Sequence, residues 1–125
     1  MIKILEKNHR VAWILVILTM IFIFYISSLE TVSTLSNLSY RAEIYHIGIY
    51  CALTLFMMIA LSEGGVKKHL FFWAIFFTFI YAVSDELHQI FVPGRDPSIG
   101  DVILDSIGIS ISGLFYFLRH KSAKL

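Results

Sequence analysis

Apolar residues in this chain come in four long runs separated by short polar breaks, and those runs decide the fold class. The first extends from Val11 to about Ser27 without a single charge. The second extends from about Ile44 to Leu61, with His46 near its start. The third begins at Leu70, stays apolar through Val83, and then meets Ser84, Asp85 and Glu86. The fourth covers about Val102 to Leu118, with Asp105 near its beginning. Crossing the hydrocarbon core of a bilayer takes about 20 residues, with roughly 17 as the lower limit. The first, second and fourth runs meet that length. The third meets it only if its helix continues past Asp85 towards Phe91.

In lipid, only helices and closed barrels satisfy their own backbone hydrogen bonds. None of the runs shows the strict apolar–polar alternation of barrel strands, so all four read as helices. The breaks agree. Ser62-Glu63-Gly64-Gly65 has the glycine chemistry of a helix C-terminus, and Pro93-Gly94-Arg95-Asp96-Pro97 is a turn that no helix runs through. A fourth helix can start at Ser98 or Gly100, with Asp101 favoured in its first turn by the helix dipole. The expected fold is all-α, a four-transmembrane-helix bundle forming a single domain over residues 1–125, with helices over about 11–28, 44–61, 70–91 and 100–118. The longest connection, about Ser28 to Glu43, is rich in Ser and Thr and could hold a short helix or cap the bundle.

Composition strengthens this reading. Hydrophobic residues make up 58% of the 125 residues and charged residues 15%, against about 25% charged in soluble domains. The net charge of +1 comes with no basic, aromatic-interleaved patch, so nucleic acid is not an expected partner. The lone cysteine, Cys51, excludes an intramolecular disulfide and reads as packing within an apolar run. The charges also orient the bundle. With the N-terminus in the cytoplasm, Lys3, Lys7, Arg10, Lys67, Lys68, Arg119, Lys121 and Lys124 all lie inside, and only Arg41 and Arg95 lie outside. The positive-inside rule then places both termini in the cytoplasm and the protein in the cell membrane as a multi-pass chain. The first run could instead be a cleaved signal peptide, but it is long for one and no Ala-x-Ala site follows it.

Acidic residues show the opposite bias. Glu30, Glu43, Asp85, Glu86, Asp96, Asp101 and Asp105 fall in the outer half, leaving Glu6 and Glu63 inside. Three helices each bring a polar stripe to that end. Glu43, His46 and Tyr50 share one face of the second helix. Tyr81, Asp85 and His88 repeat the spacing on the third, with Gln89 four residues past Asp85. Asp101, Asp105 and Ser112 share a face of the fourth with Gly108. Gly108 and Gly113 would let neighbouring backbones come close. An ionisable group facing lipid costs about 2.5–3.5 kcal/mol at a helix centre, so the stripes are expected to face one another or a wet cavity. Each member also has a plainer reading. His46 could be a helix-pairing donor, Asp85 and Glu86 sit near headgroup level where charge is cheap, Tyr45 suits an interfacial belt, and Arg95 could meet lipid phosphates. Asp105 is the hardest to read that way, because it lies a turn into an apolar helix.

The string Asp85-Glu86-Leu87-His88-Gln89-Ile90-Phe91-Val92-Pro93-Gly94-Arg95, followed by Asp101 and then Asp105-x-x-Gly108, resembles the signature of the VanZ-like membrane protein family. His46-x-x-x-Tyr50 resembles that family's first motif, and the likeness runs from about Val11 to Leu118. It implies a helical membrane protein whose polar motifs gather near the extracytoplasmic face. The family takes its name from an accessory of glycopeptide-resistance clusters associated with teicoplanin resistance, although most members occur in contexts without that role. Two positions depart from the pattern: Glu43 stands where Lys is usual, and Asp105 where Asn is frequent. Both make this chain's site more acidic.

Three functions are compatible with these residues. The first is an enzyme acting at a phosphoester of a lipid-linked or other envelope substrate, with His46, Tyr50, Asp85, Glu86, His88, Gln89, Arg95, Asp101 and Asp105 as its candidate catalytic cluster. There Arg95 would hold phosphate and His88 or His46 would act as acid, base or nucleophile. A divalent ion is the one cofactor to consider, with His46, Asp85, His88, Asp101 and Asp105 as ligands: Mg²⁺ or Mn²⁺ by the oxygen donors, or Zn²⁺ by the mixed set. The second is a non-catalytic binder of a lipid headgroup, wall precursor or glycopeptide. The third is a small transporter with Asp105 as proton carrier. Membrane lipid is a partner in all three, and the oligomeric state is left open.

Overall fold

The computed structural model describes residues 2–29, 39–62 and 68–122. Five helices follow one another: α1 (Ile2–Lys7), α2 (His9–Ser27), α3 (Ser39–Ser62), α4 (Lys68–Gln89) and α5 (Ile99–Ser122), with no strand among the described residues. Helices α2 to α5 are each long and apolar enough to cross a membrane. The Ser/Thr-rich connection through residues 30–38 and the Glu63-Gly64-Gly65 helix stop lie outside the described residues.

Helix α3 is the hub. It has the largest buried share of the four spans, and Tyr50, Leu53, Met58, Ile59 and Ala60 are enclosed along it. The outer helices turn their bulk outward. Ile14, Ile17, Leu18 and Ile21 of α2, Phe72, Trp73 and Phe77 of α4, and Ile107, Ile111 and Leu114 of α5 are exposed. In water such a surface would drive aggregation. Against lipid it is the expected face of a spanning helix.

The tightest approach in the bundle explains the pairing of α3 with α5. A Cβ on Gly108 would collide with the Ile47 carbonyl oxygen and stand 3.1 Å from the Cys51 nitrogen. Backbone cannot yield as a side chain can, so only glycine permits this contact. Gly113 differs from expectation: a Cβ there would meet only side chains, at 3.4 Å and beyond. Its lack of a side chain is therefore not what brings the helices together.

Polar groups within the bundle are mostly satisfied locally. Thr54, Thr78 and Ser106 bond back to carbonyls four residues earlier, as hydroxyls in apolar helices commonly do. The Tyr81 hydroxyl crosses from α4 to donate to the Met20 carbonyl of α2 at 2.7 Å, and that of Tyr116 donates to Ser62 Oγ at 2.8 Å.

Helix α1 was not expected from the basic flank it occupies. Six residues are too few for a helix to stand alone, and this one is anchored by packing and charge. Leu5 is buried, while Glu6 lies 3.6 Å from Arg119 and 3.3 Å from His120 of α5. At the other end of the bundle, α4 runs past Asp85 to Gln89 and gives way to turns at residues 90–94. The ends of α2 and α4 and the starts of α3 and α5 meet there, at the polar end.

Candidate functional site

The Gly108 contact fixes what lies beside it. One residue before Ile47 on α3 is His46, and three before Gly108 on α5 is Asp105. His46 Nδ1 and Asp105 Oδ1 are 2.8 Å apart, with both residues buried and Asp105 wholly so. An ionised carboxylate only accepts hydrogen bonds, so with Asp105 charged Nδ1 carries the proton and donates it. The lone pair is then left on Nε2.

Two further carboxylates gather at this imidazole. One ligand atom from each of His46, Glu86 and Asp101 lies within 4.8 Å of the other two. Glu86 is held from both sides: Gln89 Nε2 donates to its Oε1 at 3.1 Å and the Ser98 backbone N–H to its Oε2 at 3.0 Å. Ser98 is also the N-cap of α5, its Oγ accepting the Gly100 N–H at 3.0 Å. In a capping box the acid three residues into the helix takes the N-cap N–H. Here Glu86 of α4 takes it in place of Asp101, and the Asp101 carboxylate joins the cluster around His46.

The remaining expected residues divide into two groups. Asp85 lies inside, with Gln89 Nε2 at 3.4 Å from its Oδ2 and Ser27 of α2 beside it. Tyr50 is fully enclosed, and its hydroxyl has no hydrogen-bond partner among the described residues; the second oxygen of Asp105 has none among them either. Arg95 is placed by a turn in which its N–H donates to the Val92 carbonyl at 3.2 Å. Gly94 supplies the positive φ of 77° that a Pro-Gly turn of this kind requires. Arg95 is half-buried, and it lies within electrostatic range of Tyr45 together with Asp85 and Asp105.

His88 and Tyr81 stand aside. His88 Nε2 is 3.0 Å from Oγ of Ser28, the C-cap of α2, and its ring packs 4.5 Å from Phe24 of α2. The three residues on one face of α4 therefore split, with Tyr81 and His88 serving the α2 contact. Neither Asp85 nor His88, both expected as metal ligands, belongs to the cluster of three around His46 among the described residues. Glu86, expected in the site but not as a ligand, does. Asp105 is the partner of Nδ1. Ser98 was missed, although a serine directly before a helix start is a legible cap. Tyr45 sits edge-on to His46, ring centroids 5.7 Å apart, as part of the wall of the site.

An apolar recess of about 340 Å³ opens between α2, α3 and α4, lined by residues including Trp13, Met20, Leu53, Met57 and Phe77. Tyr81 and Ser84 border it, one turn or less before Asp85.

The family model described as VanZ/LLP1 matches residues 11–120, a stretch that includes all of α3 and α4, all but two residues each of α2 and α5, and every residue of this site. No curated protein and no solved structure matches the chain.

Proposed function

The chain belongs to the VanZ/LLP1 family, and from that premise we propose that it is a membrane enzyme that cleaves or transfers a phosphoester of a lipid-linked envelope substrate. The observation that carries this reading is the buried Asp105–His46 pair with Glu86 and Asp101 gathered at the same imidazole. Helix pairing alone needs one hydrogen bond. Three carboxylates around one histidine exceed that need, and bringing them together is electrostatically unfavourable unless they do something.

The parts divide as follows. Arg95 holds the phosphate by its guanidinium fork. The recess beside Ser84 receives hydrocarbon from a substrate that stays in the membrane. In hydrolysis the water oxygen bonds to phosphorus, the ester bond to the lipid alcohol breaks, and the water's proton ends on the departing alcohol. Nε2 of His46 serves the water, either as its base or as a ligand of a cation that acidifies it. The charge bias of the chain supports a site at the extracytoplasmic leaflet of the cell membrane.

The test is release of inorganic phosphate from phosphatidic acid and from a polyprenyl phosphate by the protein in liposomes. Wild type should release it, and His46→Ala and Asp105→Asn should not, with helicity and particle size preserved. Saturable binding of these lipids with no product would remove the enzyme and leave a headgroup binder. The unpartnered Tyr50 hydroxyl and Asp105 oxygen are the features that suit that second reading.

A further inference from the structure

We infer that His46, Glu86 and Asp101 form a binding site for one transition-metal dication, Zn²⁺ or Mn²⁺, with Asp105, Gln89 and Ser98 fixing the ligands. The inference rests on the proposed reaction only for its meaning, because metal binding is read without substrate.

Distance comes first. Ligands on opposite sides of an ion, each at about 2.1 Å, stand about 4.2 Å apart, and adjacent ones stand closer. Three donor atoms mutually within 4.8 Å stand close to that spacing, within reach of one ion. They come from three different helices, so no local sequence spacing brought them together. Three protein ligands also leave positions open, as catalytic metal sites do and structural sites do not.

The atoms behind the ligands carry the argument further. A metal-bound histidine almost always gives its other ring N–H to a carboxylate or carbonyl, and ligating carboxylates are themselves hydrogen-bonded. The first holds for His46 and the second for Glu86. Asp105 takes Nδ1 of His46, leaving Nε2 for an ion. Gln89 and the Ser98 N–H hold the two oxygens of Glu86. Asp105 has no exposed surface, and among the described residues its second oxygen has no partner beside the same imidazole. A buried carboxylate oxygen without a donor calls for a cation or an ordered water.

Charge points the same way. Asp85, Glu86, Asp101 and Asp105 all act on one another or on His46, and Arg95 acts on the neighbouring Tyr45. A phosphate approaching so acidic a site needs a positive charge between it and the carboxylates, and a dication supplies one. The imidazole selects the metal: carboxylates alone suit Mg²⁺ or Ca²⁺, whereas a nitrogen ligand favours Zn²⁺ and its neighbours. If an ion sits on Nε2, that nitrogen is not the base, and the proton is lost from metal-bound water.

The experiment uses the full chain in mild detergent, stripped with chelator and then titrated with Zn²⁺ and Mn²⁺ by equilibrium dialysis and elemental analysis. One ion per chain is expected. Glu86→Gln and Asp101→Asn, which preserve shape, should lose it, as should His46→Ala. Asp105→Asn should weaken it by about 10–100-fold. His69→Ala and His88→Ala should retain it, and a Co²⁺-loaded sample should show a visible spectrum that disappears in His46→Ala. No ion on folded wild type, or an ion that survives Glu86→Gln and Asp101→Asn, overturns the site. An ion bound with no phosphate release from any lipid would end the phosphoester reading and leave the metal site standing. Phosphate release by metal-free protein would take the ion out of the reaction and make His46 the base, with the dialysis result still deciding the site.

Discussion

Gly108 of α5 lies against the Ile47 carbonyl of α3 so closely that no Cβ fits between them. The His46–Asp105 pair depends on this contact, because each partner lies within a helical turn of it. Gly108→Ala should therefore cost more than a methyl group ordinarily does. Overpacking of a rigid contact runs to about 1–3 kcal/mol, and Gly108→Val should exceed that range. Gly48 on α3 is the control, with nothing within 4 Å of a Cβ placed there. Gly48→Ala should be neutral or slightly stabilising, since alanine is favoured over glycine within a helix by about 0.5–1 kcal/mol. Unfolding in detergent, followed by far-UV circular dichroism, checks both. Equal effects at the two glycines would mean that the helices are not packed at Gly108.

The buried pair itself should behave non-additively. His46→Leu leaves the Asp105 carboxylate enclosed without its donor, and breaking one side of a buried pair costs about 3–5 kcal/mol. Asp105→Leu leaves His46 without its acceptor. Replacing both at once removes the orphaned group, so the double variant should be more stable than His46→Leu alone while remaining inactive. A double-mutant cycle on unfolding free energy measures the coupling. Strict additivity would show that the two side chains do not depend on each other.

Arg95 is aimed by a turn that needs glycine before it. At a φ of 77°, an alanine in place of Gly94 is strained by about 1–2 kcal/mol, and the turn should shift before the helices do. Gly94→Ala is expected to raise KM for phosphate release while leaving the unfolding midpoint close to wild type. Arg95→Lys keeps the charge and loses the fork. Losing a charge-assisted hydrogen bond of about 1.5–3 kcal/mol corresponds to at least about a tenfold rise in KM. An unchanged KM in Arg95→Lys would take the guanidinium out of substrate binding.

The four spans were legible because length and apolarity are one-dimensional properties. The stripe on α5 was legible too, since helical spacing puts Asp101 and Asp105 on one face whatever surrounds them; on α3 His46 and Tyr50 turn inward as their spacing suggests, while Glu43 is exposed. The rotation of α4 was not. Asp85 and Glu86 are neighbours about 100° apart around the helix, and the sequence does not say which turns towards the bundle; both do. His88 looked like a site residue by the same spacing as Asp85, yet Phe24 of α2 and Ser28, the cap of that helix, claim it. Nor could spacing show that Glu86 would take the Ser98 N–H, because that contact depends on how the 90–98 connection folds back. Helix α1 was hidden for a related reason, being held by Arg119 and His120 more than 100 residues away.

Charge predicts which leaflet the site serves, and labelling tests it. Residues 1–10, 63–68 and 119–125 carry eight of the ten Lys and Arg, leaving Arg41 and Arg95 at the polar end. Basic flanks stay on the cytoplasmic side, so the polar end should face outward. In a Cys51→Ser background, Asp96→Cys and Lys7→Cys place single thiols at exposed positions at opposite ends of the bundle. A membrane-impermeant maleimide applied to intact protoplasts should modify Asp96→Cys and reach Lys7→Cys only after permeabilisation. The reverse pattern would put His46, Glu86 and Asp101 at the cytoplasmic leaflet. The substrate would then have to be an inner-leaflet lipid phosphate, and any metal would be drawn from the cytoplasm.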